Sequence, residues 1–219
     1  MQNTAARLLI VDDEPVIRTS LALALAELGF STRTAEDGFS ALHEIRQQIP
    51  DILISDLNMP GMSGFELLSV VRRRFPDVCS IAMSGAFSGD EVPSGVAADA
   101  FYQKGSSMGA LLQMMGNLHH QERRAACPTE PSDPIWIQHS NKDAAEDACI
   151  SIACPECLRT FLLVPGSSIS QIREAICTHC SSSVRYAMVE PLDRLSSQSL
   201  RNATAEAREK PDSAAQFYY

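Results

Sequence analysis

The sequence predicts a doubly wound α/β domain built on a five-stranded parallel sheet, followed by a small β-rich module. Three observations carry this. Short apolar runs alternate with helix-length stretches over residues 1–120, the pattern of a parallel sheet with helices on both faces. Two of the runs stop on acidic residues: Leu8-Leu9-Ile10-Val11 on Asp12-Asp13-Glu14, and Ile52-Leu53-Ile54-Ser55 on Asp56. Farther on, residues 151–191 hold four of the seven cysteines in two CxxC pairs.

The elements follow in order. Leu8 to Asp12 is the first strand. Pro15 to Leu28 is a helix, with Pro15 suited to a first turn and Gly29 as its stop. Phe30 to Thr34 is a second, weaker strand. Asp37 to Gln48 places Phe39, Leu42, Ile45 and Ile49 at helical spacing. Ile52 to Asp56 is the third strand, closed by the turn signal Met59-Pro60-Gly61. Gly64 to Phe75 is a helix stopped by Pro76. Val78 to Met83 and Ala100 to Gln103 are the fourth and fifth strands, and Ser106 to about His120 is a last helix. Gly89 to Ala98 stands where a fourth helix belongs, yet Pro93 and Gly95 oppose a helix interior, so a short or distorted helix is expected.

Composition sets the outer limits. The hydrophobic share of 45% and charged share of 21% are ordinary for a globular protein. A net charge of -9 argues against non-specific DNA binding, which needs clustered Lys and Arg. Arg72-Arg73-Arg74 is read instead as the solvated end of a helix, where cations favour the dipole. No apolar run approaches the roughly 20 residues of a membrane span. No signal peptide is visible, so the expected compartment is the cytoplasm, where paired cysteines favour metal over disulfides. The expected organisation is a domain at 1–120, a Pro-punctuated linker at 121–150 with a docking contact at Trp136, a cysteine module at 151–191 and a polar tail at 192–219. No internal repeat is evident.

At the carboxyl edge of such a sheet, where ligands bind, Asp12, Asp13 and Asp56 form a cluster of like charge that calls for a cation. Hard carboxylate oxygens with room for water suit Mg²⁺. A carboxylate beside Mg²⁺ can act as a nucleophile toward a phosphoryl group. Ser84, ending the fourth strand, and Lys104, after the fifth, bring a hydroxyl and an ammonium to the same edge. Singly, each of these residues is more simply a cap, a turn residue or a solvated charge.

Taken together, residues 1–120 resemble the CheY-like, flavodoxin-type receiver domain of two-component response regulators. The resemblance rests on Asp12-Asp13, Asp56 with Met59-Pro60-Gly61, Ser84-Gly85-Ala86 and Tyr102-Gln103-Lys104 in the family's order. It implies that Asp56 is the phosphoacceptor, that Asp13 binds Mg²⁺ directly and Asp12 through water, and that the Asn58 backbone carbonyl is a further ligand. Ser84 then bonds a phosphoryl oxygen, Lys104 pairs with the phosphate, and Tyr102 is the aromatic switch. Two departures stand out: Gly105 where the family carries Pro, and the interrupted fourth helix. A receiver that folds without being phosphorylated is the bland alternative.

Cys154-Pro155-Glu156-Cys157 and Cys177-Thr178-His179-Cys180 stand nineteen residues apart. Two such turns can present four thiolates to one ion, the S₄ set that favours Zn²⁺. Thr160 to Val164 and Val184 to Val189 are expected strands, with a turn at Pro165-Gly166. The segment resembles a small bacterial zinc ribbon, although Leu158 and Ser181 stand where Gly often follows the second Cys. A redox dithiol pair and a vestigial site are the alternatives. His179 is expected to point outward, Cys79 to be a core residue, and Cys127 and Cys149 have no evident partner. A core this small should unfold when zinc is removed, leaving the first domain intact.

The expected function is a response regulator. It would take a phosphoryl group from a sensor histidine kinase or histidine phosphotransfer protein, assist its own phosphorylation and dephosphorylation, and be no enzyme otherwise. The zinc ribbon is its output or docking module. From residue 151 onward, seven basic and seven acidic side chains cancel, which fits an output protein better than DNA. No membrane partner is expected. The rivals are a phosphorelay intermediary without its own output, a DNA-binding regulator, and an aspartyl-phosphate hydrolase. The last is disfavoured by Asn58, which stands where haloacid-dehalogenase-like phosphatases carry a second Asp.

Overall fold

Five parallel strands of a computed structural model run in the order β2-β1-β3-β4-β5, with every pairing parallel. The described residues are 5–85, 96–120, 134–138, 149–163 and 172–189. The sheet comprises β1 (Arg7–Val11), β2 (Ser31–Ala35), β3 (Ile52–Asp56), β4 (Cys79–Ser84) and β5 (Ala100–Gln103). Helices α1 (Pro15–Glu27), α2 (Gly38–Gln47), α3 (Gly64–Arg74) and α4 (Met108–His120) connect and cover it. This is the doubly wound order in which the strand sequence reverses beside β1, so a crevice opens at the carboxyl ends of β1 and β3. The expected fourth helix lies mostly outside the described residues, as do Cys127, the turn at Pro165-Gly166 and the polar tail.

Alternation along the buried strands sorts the core into two layers. Leu8, Ile10, Ile52, Ile54, Ile81 and Met83 pack with Leu21 and Leu25 of α1 and with Leu111 and Met115 of α4. Leu9, Val11, Leu53 and Ala82 face the layer of α2 and α3. Asp37 starts α2 with a reciprocal capping box to Ser40, and Ser63 caps α3 by accepting from the Glu66 N–H. Gly64 opens α3 because nothing larger fits: a Cβ there would stand 1.9 Å from the Asp56 carbonyl oxygen. Gly105 has φ +88°, which proline cannot adopt, so the departure from the family's Pro goes with a different turn after β5.

The C-terminal part comprises β6 (Ile135–Gln138), β7 (Ile150–Ala153), β8 (Thr160–Leu163), β9 (Arg173–Ile176) and β10 (Ser183–Val189). β7 pairs antiparallel with β8, and β9 with β10, each pair closed by one CxxC turn. The turns match atom for atom. The Leu158 and Ser181 N–H groups donate to the carbonyls of Cys154 and Cys177, and the Cys154 and Cys177 N–H groups donate to those of Arg159 and Ser182. A strand–knuckle–strand unit is thus repeated, which the sequence reading missed because only the CxxC spacing recurs.

Two further features correct the sequence reading. The segment expected to be linker contains β6, which pairs in parallel with β10. The module is also not a separate body: Ile135, Ile137, Ile152 and Phe161 belong to the same buried cluster as Leu67, Val70 and Val71 of α3. Docking runs through buried Ile135 and Ile137 together with half-buried Trp136, which packs against the same cluster as expected and whose backbone N–H donates to Ser69 Oγ at 3.3 Å. The expectation that the module unfolds alone overlooks this shared core.

Candidate functional site

Strand ends assemble the acidic site. Asp12 follows β1 and Asp56 closes β3, and hydrogen bonding between these paired strands brings their carboxylates together. Asp12 and Asp56 are buried and Asp13 is exposed, and one carboxylate oxygen from each lies within 4.8 Å of the others. Lys104, just past β5, is placed by its N–H donating to the Ser84 carbonyl at 2.8 Å. Its Nζ stands 2.9 Å from Asp12 Oδ2, 3.2 Å from Asp56 Oδ1 and 3.7 Å from Glu14 Oε1. Glu14 Oε1 and the Arg18 guanidinium, which donates to the Asp12 carbonyl, are site members that sequence reasoning left unassigned. Arg18 lies one helical turn past Glu14, the only signal that could have found it.

The charges do not balance. Three Asp carboxylates and Glu14 surround one ammonium, and burial is the largest cause raising the Asp56 carboxyl to about 6, with Lys104 opposing and Asp12 reinforcing the rise. For Lys104, burial alone would lower its affinity for the proton, but Asp12 and Asp56 outweigh it and raise it. Asp12 Oδ2 is buried and held by charge rather than by a well-directed hydrogen bond. An oxygen so disposed, among hard carboxylates and open to solvent on the Asp13 side, fits a small divalent cation.

The remaining expected residues lie on the same rim. Ser84 is buried at the end of β4, beside Asp56 through the Asp56–Met83 register. Tyr102 packs in the α1–α4 layer and its hydroxyl donates to the Ser106 carbonyl at 2.7 Å. Asn58 is exposed in the loop after β3. A cavity of about 440 Å³ beside Lys104 is lined by α1 residues Val16, Ile17 and Leu21 and by Met83, Tyr102 and Met108.

The four module cysteines converge as their spacing predicts. Their sulfurs lie within 4.8 Å of one another, with Cys154–Cys180 at 3.6 Å and Cys157–Cys177 at 3.8 Å. A tetrahedron of sulfurs about 2.3 Å from a central Zn²⁺ has edges of about 3.8 Å, so the set fits that ion. Burial pushes the Cys154 thiol up to about 12, whereas the hydroxyl and backbone of Ser182 bring the exposed Cys180 down to about 6. His179 is turned away, its Nε2 donating to the Thr160 carbonyl at 2.8 Å. Leu158 and Ser181 have φ of 56° and 61°, the left-handed conformation for which Gly is usual.

Residues of α2 and α3 grip the first knuckle. Glu66 Oε1 accepts the Ala153 N–H at 2.7 Å, Arg46 Nη2 donates to the Cys157 carbonyl at 3.0 Å, and Arg73 pairs with Glu156 at 3.3 Å. Arg72 pairs with Asp99 at 2.6 Å. Two of the three arginines expected to be solvated are therefore tied down.

A doubly wound sheet carrying an acidic cluster and a lysine at its carboxyl edge is the arrangement of a receiver-type signalling domain. The family described as response regulator receiver domain matches residues 8–115, and this part of the chain belongs to it. The DNA-binding transcriptional regulator NtrC of Escherichia coli is 37% identical over 97 residues, which is 44% of this chain and 19% of that one. Chemotaxis response regulator CheY4 of Vibrio cholerae is 29% identical, covering 52% of this chain and 99% of that one, with TM-score 0.50. Response regulator TrrA of Thermotoga maritima, solved with Mg²⁺-BeF and also with the histidine kinase ThkA, is 34% identical and covers 52% of this chain, with TM-score 0.48. The chain spans less than a third of the length of the curated relatives it matches. Among the described residues, no helix is long and apolar enough to cross a membrane.

Proposed function

We propose that the chain is a cytoplasmic response regulator whose Asp56 accepts a phosphoryl group from a phosphohistidine of a sensor histidine kinase or phosphotransfer protein. The observation that carries this reading is Lys104 Nζ bridging Asp12 and Asp56 in a half-buried site where carboxylates outnumber cations. Asp56 attacks phosphorus, the phosphorus–nitrogen bond breaks, and its electron pair returns to the imidazole. Asp12, Asp13, Asp56 and the Asn58 carbonyl hold Mg²⁺, which supplies charge neutralisation for the incoming phosphoryl group. Lys104 pairs with that group, Ser84 bonds one of its oxygens, and Tyr102 answers the movement of Ser84. Beyond assisting its own phosphorylation and dephosphorylation, the chain is not an enzyme in this reading.

Cys154, Cys157, Cys177 and Cys180 hold Zn²⁺ in a ribbon that serves output or docking. Its neutral balance of charge and the exposed Leu162, Ile172 and Ile176 favour a protein partner over DNA. The experiment is phosphoryl transfer from a labelled histidine kinase to the wild-type chain and to Asp56→Asn. Label on the wild type alone supports the reading, and equal label on both contradicts it.

A further inference from the structure

We propose that the four-cysteine metal site and the phosphoacceptor site are linked binding sites, coupled through α3, with Glu66, Arg46 and Arg73 as positioning residues of the metal site. The proposal rests on the two sites read above and adds their connection.

The connection is continuous. At its N-terminus, α3 lies directly on the phosphoacceptor backbone: the Gly64 N–H donates to the Leu57 carbonyl at 3.1 Å, and a Cβ on Gly64 would overlap the Asp56 carbonyl oxygen. No slack separates the two, so a displacement of the Asp56 loop moves the start of the helix. Eleven residues make α3 a rod of about 16 Å. Along it, Glu66 holds the Ala153 N–H immediately before Cys154, Ser69 holds the Trp136 N–H of β6, and Arg73 holds Glu156 between Cys154 and Cys157. From α2, Arg46 holds the carbonyl of Cys157 itself.

These groups orient the first knuckle as partners beyond the ligands orient a metal site. The second knuckle is tied differently: among the described residues its hydrogen bonds run within the module, to Ser182 and Thr160, and its strand β10 reaches α3 only through β6, whose Trp136 N–H is held by Ser69. The first half of the metal site is therefore held by receiver side chains directly, and the second through β10 and its neighbour β6. A shift of α3 changes the fit between the halves, and thus the affinity for an ion that needs all four sulfurs. By thermodynamic linkage, loading the cysteines must alter binding at Asp56 by the same factor.

The test measures Zn²⁺ affinity of the full chain by competition with a chromophoric chelator, with and without Mg²⁺ and beryllofluoride. It also measures beryllofluoride affinity of zinc-loaded and stripped chain. We expect Zn²⁺ affinity to change at least fivefold on beryllofluoride binding, and the reciprocal factor to match. In Arg46→Ala/Arg73→Ala, which leaves every proposed ligand in place, both ligands should still bind while the factor falls toward one. If both bind to the wild type and Zn²⁺ affinity changes less than twofold, the coupling is overturned while both sites stand. If the double variant keeps the full factor, the assignment to Arg46 and Arg73 is overturned. If either ligand fails to bind the wild type, the coupling falls together with the site reading beneath it.

Discussion

Glu66 Oε1 accepts the backbone N–H of Ala153 at 2.7 Å, so a carboxyl on the receiver's third helix holds the residue before the first cysteine. Glu66 is 2% exposed, and burial, only partly offset by the Ala153 N–H, raises its carboxyl to about 8. The fold therefore keeps it neutral at a pH where the unfolded chain ionises it.

The consequence for stability follows from linkage. Below pH ~4.5 the carboxyl is protonated in both states. As pH rises from about 4.5 to about 8, only the unfolded chain releases its proton, so stability falls across that window and the penalty is complete above it. Glu66→Gln should remove this loss, making the variant more stable than the parent at pH 9 by about 2–4 kcal/mol. Urea unfolding of the zinc-loaded forms at pH 5 and pH 9 tests this. Parallel pH profiles would contradict it.

Asp56 behaves in the same sense over a lower range. Its carboxyl rises from 3.8 to about 6, so the cost of ionising it enters as pH rises through that interval and persists at neutral pH. Without divalent metal, Asp56→Asn should stabilise the receiver by about 1–3 kcal/mol at pH 7.5. Mg²⁺ should stabilise the parent and leave the variant nearly unchanged. Equal thermal midpoints and equal responses to Mg²⁺ would count against the acidic metal site.

Gly64→Ala tests the contact between α3 and the Asp56 loop. The added Cβ meets backbone rather than a flexible side chain, so the strand end or the helix must move. A loss of about 3 kcal/mol or more is expected in thermal unfolding. A change under about 1 kcal/mol would show that the helix start can yield.

The knuckle residues Leu158 and Ser181 share a left-handed backbone but not a surrounding. Such a conformation costs a non-glycine residue roughly 1–2 kcal/mol, against roughly 0.5–1 kcal/mol of extra chain entropy for Gly. Ser181 is exposed, so Ser181→Gly should stabilise the module by about 0.5–1 kcal/mol. Leu158 also packs against the shared core, and Leu158→Gly should come out near neutral or worse. Denaturation of the two zinc-loaded variants should rank them in that order. The reverse order would mean that Ser181 makes a contact worth more than its strain.

Much of this was readable before any coordinates. Strands β1, β3 and β4 announce themselves as apolar runs stopped by a turn or a charge, whereas β2, Ser-Thr-Arg-Thr-Ala, is legible mainly from its place between two helices, and Asp12, Asp56, Ser84 and Lys104 follow from where the strands stop. The cysteine cluster follows from spacing alone. What escaped was contact between distant segments. Ile135-Trp136-Ile137 is too short and too closely flanked by Pro to declare itself a strand, and its partner β10 lies about fifty residues on. Glu66 looks like an acid placed in a first helical turn for the dipole, and only the docked module turns it inward. Arg73 likewise belongs to a run that reads as solvated until Glu156 is brought beside it.

The most direct test of the central claim is the site of phosphorylation itself. The Mg²⁺-loaded chain, incubated with acetyl phosphate or a phosphorylated histidine kinase, is trapped by borohydride and mapped by peptide mass spectrometry. The account predicts one modified residue, Asp56, with no modification when Mg²⁺ is removed by chelation. Modification at Asp12 or Asp13 instead, or none despite bound Mg²⁺, would contradict it.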